Sequence, residues 1–175
     1  MEETITRLTG YQNHQKAHGF SKWLTLERDS GVAIGDSGLF VLPEYGWIDL
    51  GFRFAQLYWG KGFATEVATA WVRAALDEFR VGQLGAFAHP ENLASIRVLE
   101  KVGFHAERRD KVMGMDSIVF FLDAAGRKEL HQRESRRSTS QSRGSEHDNC
   151  RLSDVPRGGT KVSLTGRRLS PHFLD

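Results

Sequence analysis

The chain is poor in cysteine and in long apolar runs, and each shortage excludes something. Its 175 residues hold one cysteine, Cys150. No disulfide can form within the chain, and a single thiol fits a cytoplasmic home. Cys150 lies in a polar stretch with no evident ordered partner, so it is read as incidental and not as a nucleophile. No apolar run approaches the ~20 residues of a membrane-spanning helix. Met1-Glu2-Glu3 opens an acidic, polar segment without an apolar core, so no signal peptide is expected. His14, His18 and His105 are too scattered to argue for metal ligation, and no Cys/His spacing suggests zinc.

The small net charge of +2 hides an asymmetry. Residues 1–126 carry 13 Lys/Arg against 16 Asp/Glu, whereas residues 127–175 carry 11 against 6. Composition also changes at Arg127. Serine, arginine and glycine then dominate, as in Ser135-Arg136-Arg137-Ser138, and hydrophobic periodicity stops. The expectation is one folded domain over 1–126 and a disordered basic tail over 127–175, which buries too little apolar surface to offset its chain entropy. The tail's charge could attract a polyanion such as RNA. Its scarcity of aromatics, Phe173 apart, argues against base stacking.

Within 1–126 the periodicities predict a helix over 3–18 (weakened by Gly10), strands over 20–28, 32–41 and 47–54, and a helix over 62–79. A strand over 84–88, a helix over 92–102 and strands near 105–111 and 117–122 follow. Gly103 has the position of a helix-ending glycine. The order is α+β: an antiparallel meander, then crossovers onto a mixed sheet. The segment Trp59-Gly60-Lys61-Gly62-Phe63-Ala64-Thr65-Glu66 joins the 47–54 strand to the following helix. A glycine-bearing turn that opens a helix leaves backbone N–H groups pointing outward, at the positive end of the helix dipole. Such a terminus binds phosphate without basic side chains. It is not a nucleotide-triphosphate loop, because Lys61 lies between the glycines with no hydroxyl beside it. Nor is it a dinucleotide fingerprint, which would want glycine at Thr65.

A second motif follows: Pro90-Glu91-Asn92-Leu93-Ala94-Ser95-Ile96-Arg97-Val98-Leu99-Glu100-Lys101-Val102-Gly103-Phe104. The two motifs together resemble the GNAT superfamily of acyl-CoA N-acyltransferases, and within it the ribosomal-protein N-terminal acetyltransferases of the RimJ/RimL type. The superfamily loop [RQ]-x-x-G-x-[GA] maps onto Trp59 to Ala64, with tryptophan in place of Arg or Gln. The resemblance covers roughly residues 1–125. It implies the GNAT fold, acetyl-CoA as co-substrate, and an amine acceptor, either a protein N-terminus or a small molecule. Family members carry a strand and a helix ahead of the point where this chain begins, so the resemblance also implies an N-terminally shortened domain.

The same resemblance implies site residues. Coenzyme A would enter a V-shaped gap between the family's fourth and fifth strands. Main-chain groups of Phe52, Arg53 and Phe54 would pair with the pantetheine, and one N–H would polarise the thioester carbonyl. Amides of Gly60, Lys61, Gly62, Phe63, Ala64 and Thr65 would hold the pyrophosphate, beside Trp59. Lys61 either adds charge there or is simply solvated. Asn92 would contact the pantetheine arm, although asparagine at that place is also a plain helix N-cap. Ser95 would donate toward the sulfur, or bond back to its own helix. Two residues used by many members are replaced: leucine stands at 99 instead of an acidic tyrosine, and phenylalanine at 87 instead of a basic glutamate. Asp49 is then the expected general base, with an Asp49–Arg53 ion pair as the competing explanation and His89 ranked below it. The expected function is direct acetyl transfer from acetyl-CoA to a primary amine in a ternary complex. The alternatives are a non-catalytic coenzyme A-binding relative and, more weakly, a polyanion-binding protein acting through the tail.

Overall fold

The computed structural model describes residues 2–122 and the backbone of residues 169–172. A first helix, α1 (Glu2–His18), runs through Gly10 and leads into an antiparallel meander of β1 (Lys22–Glu27), β2 (Ala33–Leu42) and β3 (Trp47–Phe54). Pro43 to Gly46 makes the β2–β3 turn, with Tyr45 and Gly46 both donating to the Leu42 carbonyl. Then come α2 (Phe63–Arg73), β4 (Leu84–Ala88), α3 (Leu93–Lys101) and the hairpin of β5 (His105–Val112) and β6 (Met115–Leu122). The sheet order is β5-β6-β4-β3-β2-β1-β7, where β7 is Leu169–His172. All ladders are antiparallel except β3–β4.

Two of these elements depart from the sequence reading. The helix expected over 62–79 is α-helical only to Arg73, and Ala74–Glu78 is a π turn in which Phe79 N–H reaches back to the Ala74 carbonyl at 2.9 Å. The wider turn keeps Ala74 and Ala75 in the core together with Val67, Ala68, Trp71 and Val72. The second departure is β7. It lies within the stretch read as a disordered tail, yet pairs with β1 from Glu27↔Leu169 to Leu24↔His172. The open edge of β1 supplies main-chain donors and acceptors, so pairing there needs no apolar face, and Pro171 is tolerated on an outermost strand. The remainder of the 127–175 expectation, Cys150 included, lies outside the described residues.

Alternation along the strands sorts the side chains onto two faces. One face carries Leu39, Leu50, Leu84, Ala86, Phe120 and Leu122 against α2 and α3, the main core. The other carries a smaller cluster of Leu42, Trp47, Val112 and Val119, flanked by Phe40, Tyr45, Phe87 and Phe121. The Asn92 side chain caps α3 by accepting from Ser95 N–H at 3.1 Å. Gly103 stops it: Phe104 N–H bonds to the Leu99 carbonyl and Gly103 N–H to that of Glu100, with Gly103 at φ 94°. This is the Schellman arrangement, and Leu99 and Phe104 meet in the core beneath it.

His14 ties α1 to the sheet. Its Nε2 must accept, because Val41 N–H donates to it at 2.9 Å. Its Nδ1–H therefore donates to the Phe20 carbonyl at 2.8 Å. The ring is buried and stacks on Phe40 at 4.0 Å. Burial holds the imidazole below its ordinary value of 6.5; the Phe20 carbonyl works against this and His18 adds to it. With the folded value lowered, the contribution to stability is complete above about pH 6.5 and is lost as pH falls through the folded value. Chemical denaturation at pH 7 and pH 5 should show this loss in the wild type and not in His14→Ala. At pH 7 the same variant should be about 2 kcal/mol less stable, because two main-chain groups lose their partner.

Candidate active site

The parallel β3–β4 ladder is short. It pairs Ile48 with Leu84 and Asp49 with Gly85 and goes no further, whereas β2 stays paired with β3 through Phe54. Beyond Asp49 the β4-facing edge of β3 is therefore open. Main-chain direction alternates along the strand: Ile48 N–H reaches Gln83 on the β4 side, and Ala55 N–H reaches Ile34 on the β2 side. By that alternation Phe52 and Phe54 turn their main-chain groups into the gap, and Arg53 turns its own toward β2. Of the three positions implied by the family resemblance, two face the gap and the middle one does not.

The Trp59–Thr65 bend sits at the mouth of this gap. Trp59 donates its indole N–H to the Phe54 carbonyl at 2.7 Å, fastening the bend to the end of β3. This is a tryptophan role that spacing alone did not suggest. Gly60 and Gly62 adopt φ 73° and 91°, the left-handed region that glycine takes without strain, and open space surrounds both. Gly62 is the N-cap of α2, and no side chain caps it. Glu66 N–H bonds to the Gly62 carbonyl at 3.1 Å, so the amides of the first turn, Phe63 to Thr65, precede the first backbone bond of the helix. The bend is an uncapped helix start with room in front of it. Lys61 is exposed, with its amine 5.2 Å from the centre of the Tyr58 ring.

Across the gap, Ser95 stands half-buried on the first turn of α3, where Asn92 is already engaged as cap. His89 is a loop residue whose Nδ1 accepts from Glu91 N–H at 3.2 Å. Leu99 is buried in the main core, and Phe87 packs with the smaller cluster. Both fill apolar space, and neither position offers an acid or a base. Among the described residues no group of three or more His, Cys, Asp or Glu could hold a metal ion, and no helix is long and apolar enough to cross a membrane.

Asp49 is the buried carboxylate of the site, 4 % exposed, at the last paired position of β3 before the gap. The competing Asp49–Arg53 pair does not form. Arg53 instead bonds to Asp36, directly opposite it on β2, at 2.7 Å, and to the Tyr11 hydroxyl. Cross-strand neighbours are closer than residues four apart along one strand. The partner of Asp49 is Lys22 of β1, whose Nζ lies 3.5 Å from Oδ2. Oδ1 is buried with no hydrogen-bond partner. Burial pushes the carboxyl up from its ordinary value, and the charge and hydrogen bond of Lys22 pull it part of the way back.

A model of the acetyltransferase (GNAT) domain matches residues 1–105. This chain belongs to the GNAT acetyltransferase family. Over 96 residues the domain is 33 % identical to an uncharacterized protein, YkkB, of Bacillus subtilis (strain 168), covering 54 % of this chain and 56 % of that one. This GNAT chain spans about half the length of the curated relatives it matches. Among solved structures it resembles a GNAT-family acetyltransferase of Bordetella pertussis (TM-score 0.64, 19 % identity), covering 70 % of this chain and 77 % of that one. It also resembles AAC(6')-Ib in complex with ribostamycin and coenzyme A (TM-score 0.54, 17 % identity), covering 65 % and 69 %. These likenesses establish the fold.

A raised carboxyl carries a sign for stability. The folded value of Asp49 lies above its unfolded value of 3.8, so its favourable contribution is complete below about pH 3.8 and is lost as pH rises through the folded value. At neutral pH the ionised group is a burden on the fold. Asp49→Asn, of the same shape, should therefore melt at or above the wild-type temperature at pH 7, with the difference closing near pH 4. A drop of several degrees at pH 7 would show that the Lys22 attraction outweighs the burial.

Proposed function

We propose that this chain is an acetyl-CoA-dependent N-acetyltransferase that acts in the cytoplasm and transfers the acetyl group directly to a primary amine. The observation that carries the reading is the open, uncapped helix start at Gly62, set at the mouth of the β3–β4 gap. A diphosphate presents several oxygens to such amides, and glycine at 60 and 62 with alanine at 64 keeps side chains out of its path. Phe52, with its N–H and carbonyl, and Phe54, with its N–H, would pair with the pantetheine arm as an added strand would. Their N–H groups are the source of the donor that polarises the thioester carbonyl. The coenzyme A bound to AAC(6')-Ib, a neighbour in fold, agrees with this co-substrate.

In the proposed reaction the acceptor nitrogen attacks the thioester carbonyl carbon. Asp49 Oδ1, the oxygen without a partner, receives the proton that nitrogen gives up, directly or through water. The C–S bond then breaks and coenzyme A leaves as a thiolate. The Ser95 hydroxyl, on the first turn of α3, donates to that sulfur. Because Leu99 and Phe87 can neither give nor take a proton, no other side chain at those positions shares the work. The W-G-K-G-F-A-T-E and P-E-N-x-A-S motifs favour the RimJ/RimL branch, and with it a protein N-terminus or a small amine as acceptor.

The apolar side chains of Leu99, buried, and Phe87, half-buried, also support a second reading, a relative that binds coenzyme A without transferring acetyl groups. Acetyl-CoA turnover with a panel of peptide N-termini, polyamines and aminoglycosides decides between them. Thiol release with at least one amine is expected. Asp49→Asn should lower kcat/KM by about 10²-fold or more. Gly62→Val, which forces a branched side chain onto φ 91° at the phosphate cradle, should weaken coenzyme A binding about tenfold or more. Binding without transfer would select the second reading. Neither binding nor thiol release would reject both.

A further inference from the structure

Lys22, Gly38 and Gly51 stand in one cross-strand row, because Lys22 pairs with Gly38 and Gly38 with Gly51. All three belong to the face of the sheet that bears Asp49. At Gly38 a Cβ would meet the β1 main chain, at the Ser21 carbonyl and Lys22 Cα, whereas Gly51 leaves a notch on β3 that holds the end of the Lys22 side chain. Its Nζ and Cε are the atoms nearest to where a Gly51 Cβ would stand, and a Cβ there would collide with the amine. The Asp49 Oδ2 would lie 3.3 Å from the same point. The lysine thus crosses a strand to meet a carboxylate on the far side, with 18 % of its side chain exposed against 6 % for that of Asp49.

From this geometry we infer that Lys22 is a positioning residue for acetyl transfer: laid over Gly51, it holds Asp49 as a carboxylate and fixes Oδ2, leaving Oδ1 turned to the acceptor amine. The inference rests on the reading of Asp49 as general base. The surroundings leave the task to Lys22. Phe40 faces Asp49 from β2, and Gly85 and Phe87 from β4. From α1, Tyr11 and the neutral His14 lie against Phe40. Arg53, beyond Gly51 on β3, is held by Asp36. Lys22 is the cation that touches the carboxylate. A buried carboxylate without such a neighbour takes up a proton and cannot accept another.

The notch at Gly51 gives a test that leaves both charged residues in place. Gly51→Ala puts a methyl group where the Lys22 amine lies, and the end of a flexible side chain can move aside while the backbone stays. Three variants are compared with the wild type: Lys22→Met, Gly51→Ala and Lys22→Arg. The readouts are the pH profile of kcat/KM with the best amine of the panel, and the carbon-13 titration of the Asp49 carboxyl by NMR. In Lys22→Met and Gly51→Ala, the acid limb of the profile and the Asp49 titration should both move up by about one pH unit or more, with Lys22→Arg staying nearer the wild type. An unmoved acid limb and titration in folded Lys22→Met and Gly51→Ala would overturn the proposal. So would loss of folding in both with Lys22→Arg folded, which would make Lys22 a structural residue. If no amine is acetylated, the enzymatic reading fails by itself, and the carbon-13 titration still decides whether Lys22 holds Asp49 ionised.

Discussion

The parallel pairing of β3 with β4 lasts for two residue pairs, and the site follows from where it ends. Ile48–Leu84 and Asp49–Gly85 join the meander to the second half of the sheet. Past them the strands part, while β2 keeps β3 straight through Phe54. Parting exposes main-chain groups that a sheet would otherwise consume, and a ligand that can act as a strand is the natural way to satisfy them. The same break sets Asp49 at the threshold, buried on the paired side and next to the opening. It also delivers the chain to the Trp59–Thr65 bend, where the Trp59 indole closes the end of β3 and the first amides of α2 face outward.

The proposed chemistry draws on two kinds of position, and they are held differently. The proposed phosphate cradle is made of backbone, so its demands on sequence are negative: no side chain at 60 and 62, a small one at 64, and a helix that starts without a cap. The face bearing Asp49 depends on side chains and on their register across three strands. There a buried carboxylate is kept beside a lysine that reaches it over Gly51. That pairing is a poor source of stability, since burying either charge costs about as much as their attraction returns. Its place at the open end of the sheet is the reason for proposing it as a prepared proton acceptor.

The backbone geometry of the proposed site was legible in the sequence, and most of its side-chain contacts were not. Alternation located the Trp47–Phe54 strand, Asn92 and Gly103 marked both ends of α3, and the glycines at 60 and 62 marked the bend that opens α2. These are local signals, carried by residues close together in the chain. What escaped depends on register. Arg53 and Asp49 share a strand face, so they look like partners in the sequence. The ladder instead sets Asp36 opposite Arg53 and leaves Asp49 to Lys22, 27 positions earlier in the chain. Gly38 and Gly51 read as isolated strand glycines until the ladder puts them side by side. The π turn at Ala74–Glu78 escaped because its residues have ordinary helix propensities, and the pairing of Leu169–His172 because the edge that receives it lies about 140 residues away.

The most direct test of the account is residue-by-residue amide NMR of the nitrogen-15-labelled chain during titration with coenzyme A. The largest shifts are expected on Gly60 to Thr65, with a second group at Phe52 and Phe54, both saturating at a single affinity. Saturable binding that leaves the Gly60–Thr65 amides unmoved would contradict it, as would the absence of any saturable change.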